Sequence, residues 1–120
     1  MFYTIELPWP PSANRYWRHV NGRVLVSKEA KAYKKIVQQL TYLNGLTGKE
    51  FPLKERLGIS INVYCPDKRK RDIDNLLKIT IDSLQNAGLF ENDCQIDKIF
   101  ICRKPLIVKH GQLHVKITGL

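Results

Sequence analysis

Several stretches of the chain alternate between apolar and polar residues, as strands do when one face of a sheet is buried. The clearest covers residues 57–65, in which every second residue is apolar. Residues 2–7 and 112–118 follow the same pattern, and Ile96–Arg103 follows it less cleanly. Arg23–Val26 is compatible with a further short strand. The pattern therefore predicts four main strands.

Two other segments repeat apolar residues every three or four positions, which is the spacing of an amphipathic helix. The first begins after Ser27, a residue that favours helix N-caps, and ends near Gly45. The second begins near Asp72 and ends at Gly88. We expect their buried stripes to be Ala30, Tyr33, Ile36, Val37, Leu40 and Leu43, and Ile73, Leu76, Leu77, Thr80, Ile81, Leu84 and Ala87.

Prolines and glycines separate these elements. Pro8, Pro10 and Pro11 end the first strand, because proline cannot continue a hydrogen-bonded ladder. Residues 14–22 look irregular, basic and aromatic, and residues 46–56 look like a loop. The order of the main elements is strand, helix, strand, helix, strand, strand. It predicts an α+β fold, a mixed sheet with two helices packed on it, in a single compact domain over residues 1–120.

Charge narrows the choice of partner. The 120 residues include 20 Lys and Arg against 11 Asp and Glu, a formal net charge of +9. So large an excess on a small surface favours the phosphate backbone of nucleic acid. The alternative is that the charge serves only solubility.

Compartment and redox state also follow from composition. No apolar run reaches the roughly 20 residues that a membrane helix needs, and the first residues do not resemble a signal peptide. The three cysteines form no C-x-x-C pair, as expected for reduced thiols. We therefore expect a cytoplasmic protein with no membrane contact.

The acids Asp72 and Asp74 follow directly on four cations, residues 68–71. Carboxylates suit Mg²⁺, which activates water and neutralises phosphate charge in nucleases. Residues two apart in a regular helix point about 200° away from each other, so both acids reach one ion only if Asp72 lies at or before the N-cap. Lys78, four residues after Asp74, can orient that acid or reach a phosphate. The alternative is ordinary helix capping plus a surface ladder of Asp74, Lys78 and Asp82.

A third acid, Asp93, follows the second helix in a polar turn. A helix over residues 74–87 would span about 20 Å, so Asp93 starts at the far end from Asp72. Either the connecting loop runs back along the helix, or Asp93 acts elsewhere, including on a partner subunit. The alternative is that Asp93 is an ordinary turn residue.

Three stretches together resemble one known family. They are Pro8-Trp9-Pro10-Pro11-Ser12-Ala13-Asn14-Arg15-Tyr16, Arg71-Asp72-Ile73-Asp74-Asn75-Leu76-Leu77-Lys78, and Asp93 shortly after Ala87-Gly88. In order and spacing they are similar to the RusA family of Holliday-junction resolvases, which are small and often encoded by prophages. The resemblance covers nearly the whole chain. One departure is Asn92, because family members often have a second Asp at this position.

The resemblance implies a magnesium-dependent endonuclease that nicks four-way branched DNA symmetrically, in DNA recombination and repair. It implies that Asp72, Asp74 and Asp93 bind the metal, that Lys78 is catalytic, and that no small-molecule cofactor beyond Mg²⁺ is needed. It also implies a homodimer. Phe90, Phe100 and Ile107 are candidates for the interface, and the alternative is that they fill the core.

DNA contacts are expected from two segments. The basic run, Lys68, Arg69, Lys70 and Arg71, is expected to bind phosphates, with Arg71 nearest the scissile group. Arg15, Tyr16 and Trp17 are expected to recognise the branch point. The alternative is that Tyr16 or Trp17 lies in the core or at the dimer interface, and for Trp17 the two are equally favoured. Two other functions remain open at this stage: a non-catalytic basic nucleic-acid-binding module, and a nuclease for flaps or other branched DNA.

Overall fold

A computed structural model describes residues 1–12 and 17–120. The six strands are β1 (Phe2–Pro8), β2 (Trp17–Val20), β3 (Arg23–Val26), β4 (Leu57–Tyr64), β5 (Ile96–Arg103) and β6 (Gln112–Gly119). The helices are α1 (Lys28–Leu43) and α2 (Leu77–Asn86), with 3₁₀ turns at Ile73–Leu76 and Asp93–Gln95. This arrangement confirms the predicted α+β fold.

Four strands form one mixed sheet in the order β1-β6-β4-β5. β6 lies antiparallel to both β1 and β4, whereas β4 and β5 are parallel. The alternation predicted for β4 is confirmed, because Leu57, Ile59, Ile61 and Val63 are buried and the residues between them are only partly so. The buried face joins both helices in one hydrophobic cluster.

The helix α1 begins as predicted, since the Ser27 hydroxyl accepts a hydrogen bond of 3.2 Å from the Ala30 amide. Its buried face is narrower than expected. Ala30, Tyr33, Val37 and Thr41 are buried at helical spacing. Ile36 and Leu43 were predicted to be buried, but they lie outside this stripe and are exposed.

The connection between the parallel strands positions the functional residues. Parallel neighbours need a crossover, here residues 65–95 with α2. The β4–β5 register pairs Val63 with Arg103, so both strands end at the same edge of the sheet. The chain leaving β4 and the 3₁₀ turn that precedes α2 therefore lie at this edge, where open sheets commonly bind ligands.

One predicted irregular segment is partly wrong. Residues 17–20, expected to be irregular, form β2, which pairs antiparallel with β3. The intervening Asn21-Gly22 turn has φ of 49° and 75°, the left-handed conformation that tight hairpin turns need and that Asn-Gly favours. Residues 14–16 of the same prediction lie outside the described part of the chain.

Two further expectations changed in detail. The second helix was expected to begin near Asp72; the chain forms a 3₁₀ turn first, and α2 proper begins at Leu77. Of the three candidate interface residues, Phe90 is 1% exposed and fills the core, whereas Phe100 is 62% and Ile107 39% exposed. None of the described helices is long and apolar enough to cross a membrane.

Candidate active site

A cleft of about 560 Å³ opens at the edge of the sheet where β4 and β5 end. Among the described residues, its charged lining consists of three cations and one carboxylate, which are Lys70, Arg71, Arg103 and Asp72. Trp9, Ser12 and Asn75 supply further surface. A pocket with this charge pattern can bind a phosphate beside an acidic group.

The Asp72 carboxylate is available to this cleft. Its backbone is extended, with φ −90° and ψ 119°, and its carbonyl accepts a 3.2 Å hydrogen bond from the Asn75 amide. Its side chain makes no capping hydrogen bond to the 3₁₀ turn. Asp72 therefore occupies the N-cap position, which agrees with the geometric requirement, and its carboxylate makes no capping hydrogen bond there.

Arg71 is held from three sides. Its guanidinium donates to the Asp67 carboxylate at 2.6 Å, and it lies 5.6 Å from the centroid of the Trp9 ring. Arg103 donates to the Arg71 backbone carbonyl. The hydrogen bonds that Asp67 accepts from the Arg71 side chain and the Arg69 amide lower the pKa of Asp67 to about 2. Asp67 is therefore ionised at neutral pH and fixes Arg71 in the cleft wall.

The remaining members of the basic run are exposed. Arg69 lies 3.6 Å from the Asp67 carboxylate through its Nε, while Lys68 points to solvent and Lys70 lines the cleft. Lys68 and Arg69 therefore remain accessible beside the cleft, and Lys70 belongs to its wall.

Asp74 and Lys78 are both exposed, on the 3₁₀ turn and the first turn of α2. The Lys78 ammonium lies 3.3 Å from the Asp82 carboxylate. Lys78 was expected either to orient Asp74 or to reach a phosphate. Among the described residues it pairs with Asp82 and not with Asp74. The reason is that Lys78 and Asp82 share a regular helical turn, whereas Asp74 belongs to the differently wound 3₁₀ segment.

Asp93 lies at the other end of α2. Its amide donates to the Gln85 side chain at 3.1 Å, and Asn92 caps the 3₁₀ turn by accepting from the Cys94 amide at 2.9 Å. The buried Gln95 anchors this turn to the backbone carbonyls of Leu53 and Glu55. The connecting loop therefore does not run back along the helix, and the whole of α2, which is about 15 Å long, lies between Asp74 and Asp93 along the chain.

The described part of one chain does not assemble a complete metal site. Across residues 1–12 and 17–120, no three His, Cys, Asp or Glu side chains lie close enough to hold one ion. Asp72 and Asp74 nevertheless offer exposed carboxylates without ion-pair partners in that part of the chain, and hard ions such as Mg²⁺ prefer such oxygens. The residues present therefore fit part of a magnesium site that needs a further ligand.

Arg103, Trp9 and Asn75 were not assigned site roles from the sequence. Arg103 ends a strand 32 residues after Arg71, and only the parallel pairing of β4 and β5 brings the two together. Trp9 lies in Pro8-Trp9-Pro10-Pro11, one of the stretches that carried the family resemblance, so the sequence contained a signal for its role in the site. Arg15 and Tyr16 lie outside the described residues, and Trp17 is 48% exposed on β2, so Trp17 is not a core residue.

Comparison with known proteins identifies the family. The family described as Endodeoxyribonuclease RusA matches residues 8–118. The chain belongs to the RusA endodeoxyribonuclease family. The Crossover junction endodeoxyribonuclease RusA of Escherichia coli (strain K12) is 41% identical over 119 residues, covering 98% of this chain and 95% of that protein.

Phage relatives are equally similar. RusA proteins of the same description from Enterobacteria phages 82 and HK97 are 40% and 41% identical, with the same coverage of 98% and 95%. The resemblance stated from the motifs is thereby confirmed, and the chain is an enzyme of the endodeoxyribonuclease class.

Proposed function

We propose that this RusA-family chain is a magnesium-dependent, structure-selective endonuclease that resolves four-way DNA junctions by paired symmetric nicks in recombination and repair. We place it in the cytoplasm, as a single endonuclease domain over residues 1–120. The relatives are named crossover junction endodeoxyribonucleases, which supports branched DNA as the substrate. The observation that carries the proposal is the cleft in which Asp72 lies among Lys70, Arg71 and Arg103.

The proposal assigns metal binding to the acids and phosphate binding to the cations of the cleft. Asp72 and Asp74 of one chain, with Asp93, are the proposed magnesium ligands. Bound Mg²⁺ would activate a water molecule and neutralise charge on the scissile phosphate. Lys70, Arg71 and Arg103 are suited to hold that phosphate, and Asp67 fixes Arg71 in place. Lys78, exposed one turn after Asp74, is the proposed partner of a phosphate oxygen.

Binding of the DNA arms is assigned to the basic run and to the segment before β2. Lys68 and Arg69 are exposed beside the cleft, which supports phosphate contacts outside the cleavage position. Arg15 and Tyr16 are proposed to bind the branch point, where an aromatic ring can stack on unpaired bases. The exposed Trp17 next to them supports this assignment.

A homodimer completes the proposal. Resolution of a junction requires two nicks in strands of like polarity, and two-fold symmetry presents two sites in matching orientation. Asp93 lies at the opposite end of α2 from Asp74, which supports its contribution to the site of the partner subunit.

The decisive experiment compares a synthetic four-way junction with a linear duplex and with a flap substrate of the same arm sequence. We expect Mg²⁺-dependent cleavage of the junction, with paired nicks related by symmetry, and little cleavage of the duplex. Chelation of the metal should abolish cleavage. Binding without cleavage in Mg²⁺ would instead favour a non-catalytic nucleic-acid-binding module, and equal cleavage of flaps would refute junction selectivity.

A further inference from the structure

The main sheet has a second face that none of the described helices covers. Successive residues of a strand point to opposite faces, so the side chains directed away from the hydrophobic core lie together on this second face. They are exposed or only partly buried. We call this surface the open face, and by strand register it carries Phe2, Thr4, Glu6, Ser60, Asn62, Tyr64, Lys98, Phe100, Cys102, Gln112, His114 and Lys116.

The open face is concave, polar and basic. A pocket of about 610 Å³ opens on it, and the lining of this pocket includes Thr4, Glu6, Ser60, Asn62, His114 and Lys116. Leu40 and Asn44, at the end of α1, also line the pocket. Among the residues of the open face, the two cations Lys98 and Lys116 outnumber the one acid, Glu6. This balance of charge favours an anionic ligand.

Two rings on the open face are held together by neighbouring polar groups. The Gln112 side-chain amide donates to the Glu6 carboxylate at 3.1 Å. The oxygen of the same amide lies 3.1 Å from His114 Nε2 and therefore accepts a hydrogen bond from it. The His114 ring in turn packs on Tyr64, with ring centroids 4.6 Å apart. This ring pair of Tyr64 and His114 is thus already ordered, which lowers the entropic cost of binding a flat group against it.

The open face is continuous with the edge of the cleft. Gln112 pairs with both Pro8 and Tyr64, so the ends of β1 and β4 and the start of β6 lie side by side. Trp9, which lines the cleft, directly follows Pro8. Lys116 lies further along β6, about 13 Å from Gln112. A DNA strand that leaves the cleft past Trp9 and follows β6 would therefore pass the ring pair first and Lys116 next.

We propose that the open face binds an unpaired DNA strand leaving the cleft, an inference that rests on the proposed function. Its bases stack on the ring pair of Tyr64 and His114, because an aromatic ring stacks on any unpaired base. Its phosphates contact Lys98 and Lys116, and the Lys116 ammonium is positioned 4.5 Å from the centroid of the Phe2 ring.

The rings distinguish a single strand from a duplex as the occupant. Four-stranded sheets with exposed aromatic side chains are a recurring platform for unpaired bases in nucleic-acid-binding domains. A duplex arm offers phosphates to the lysines, but its bases are stacked on each other and leave the ring pair without a partner. The open face should therefore prefer a single strand to a duplex of the same length.

Anisotropy of a labelled oligothymidylate, measured in chelator and without a junction, tests the stacking. Tyr64→Leu removes a ring without changing charge, so affinity for the oligothymidylate should fall roughly tenfold, with little change for a duplex of the same length. Tyr64→Phe keeps the ring and should bind as wild type. Tyr42→Leu, at a tyrosine of α1 that is 73% exposed, is the matched control and should have no effect. With the fold verified by circular dichroism, an equal loss for both ligands, or no loss for either, would overturn the stacking role.

The phosphate contacts are tested separately by Lys98→Gln combined with Lys116→Gln. For the oligothymidylate, the slope of log binding constant against log salt should fall in magnitude by about 1.4, since each phosphate on a single strand contributes about 0.7. Lys31→Gln combined with Lys35→Gln makes the same change of charge on the exposed surface of α1 and should lower the slope less. Equal slopes in wild type and the first variant would refute these contacts.

Photo-cross-linking locates the bound strand. An oligothymidylate that carries 5-iodouracil becomes attached on irradiation to an aromatic side chain stacked on that base, and we expect the attached peptide to contain Tyr64 or His114. Cross-links confined to Tyr16 or Trp17 would overturn the proposal. Cross-linking as expected with no junction cleavage in Mg²⁺ would refute the proposed function alone. Junction cleavage, with oligothymidylate binding unaffected by Tyr64→Leu, would refute the open face alone.

Discussion

At the scale of single residues, the acids near the cleft differ in what their carboxylates bind. Asp67 accepts hydrogen bonds from Arg71 and Arg69, so its charge is already neutralised locally. Asp72, five residues later, lines the cleft without a capping bond. A metal ligand needs oxygens that no cation or cap already occupies. Asp67 is therefore a structural acid and Asp72 a candidate metal ligand. The spacing of the acids in the sequence could not make this distinction.

The first prediction concerns Asp72→Asn. We expect cleavage of a four-way junction in Mg²⁺ to be abolished, because the substitution removes a ligand charge, while junction binding stays close to wild type, because the cations make the phosphate contacts. Gel-based cleavage and binding assays measure both quantities. Glu50→Gln, which alters an exposed residue of a loop, is the control and should retain cleavage. Near-normal cleavage by Asp72→Asn would exclude its proposed role.

The second prediction follows from the lowered pKa of Asp67. The hydrogen bond from Arg71, and then that from the Arg69 amide, bring this pKa to about 2 in the folded chain, below the roughly 3.9 of an unfolded Asp. The stabilisation by ionised Asp67 is therefore complete above about pH 4 and is lost as the pH falls toward 2. It is modest in size, because this ion pair is partly exposed.

Urea unfolding of wild type and Asp67→Asn tests this dependence. The wild-type protein should have the higher midpoint by a constant margin between pH 5 and pH 8, and this margin should shrink between about pH 4 and pH 2. A margin that persists unchanged at pH 2 would show that the ion pair is not its source.

At the scale of elements, the sequence predicted what local periodicity controls. Alternation located β4 and β6 because each has one buried face, and the Ser27 cap located the start of α1. The short strand expected at Arg23–Val26 is confirmed as β3, but its partner β2 was missed because the residues of β2 are exposed or only partly buried, so no alternation remained. Its Asn21-Gly22 turn was the available signal.

The cleft could be predicted only in part, for a related reason. Lys70, Arg71 and Asp72 are consecutive, so their proximity is visible in the sequence. Arg103 reaches the cleft because β4 and β5 are paired in parallel. Trp9 reaches it because its ring lies against the Arg71 side chain. Parallel pairing depends on the direction of the crossover and leaves no local pattern. Proximity of this kind requires the assembled sheet.

The third prediction concerns the loop between β4 and the 3₁₀ turn. Replacement of Lys68, Arg69 and Lys70 by Ala should weaken junction binding for all sequences and flatten its salt dependence by roughly one unit of slope for each phosphate that the loop no longer binds. Binding constants measured at several salt concentrations give this slope. Lys31, Lys34 and Lys35 on α1 provide a triple-alanine control with the same change of charge, which should lower the slope less. Equal slopes in wild type and the loop variant would mean that the loop only faces solvent.

At the scale of the whole molecule, two features support the dimer proposed above. The net charge of +9 suits an anionic polymer, and the proposed metal ligands Asp74 and Asp93 lie at opposite ends of α2. The proposed symmetric dimer would account for both, because it would double the basic surface and bring Asp93 to the opposite cleft.

The last prediction tests whether two subunits share each site. Asp72→Asn and Asp93→Asn are each inactive alone if both acids are needed. In a mixed dimer with shared sites, one site combines both substitutions and the other combines none, so one intact site returns. With sites confined to single chains, every site in the same dimer carries one substitution and none returns.

The measurement is nicking of a four-way junction after the two variants are mixed and allowed to exchange subunits. Shared sites predict recovery to about a quarter of the wild-type number of sites at random mixing, since half of the dimers are mixed and each has one of two sites intact. Because only one site acts, the product should be nicked junction rather than paired cuts. A mixture of Asp72→Asn with Asp74→Asn is the control and should stay inactive in either arrangement, because both acids lie on the same side of a shared site. Full inactivity of the first mixture, with subunit exchange verified, would place all three acids in one chain.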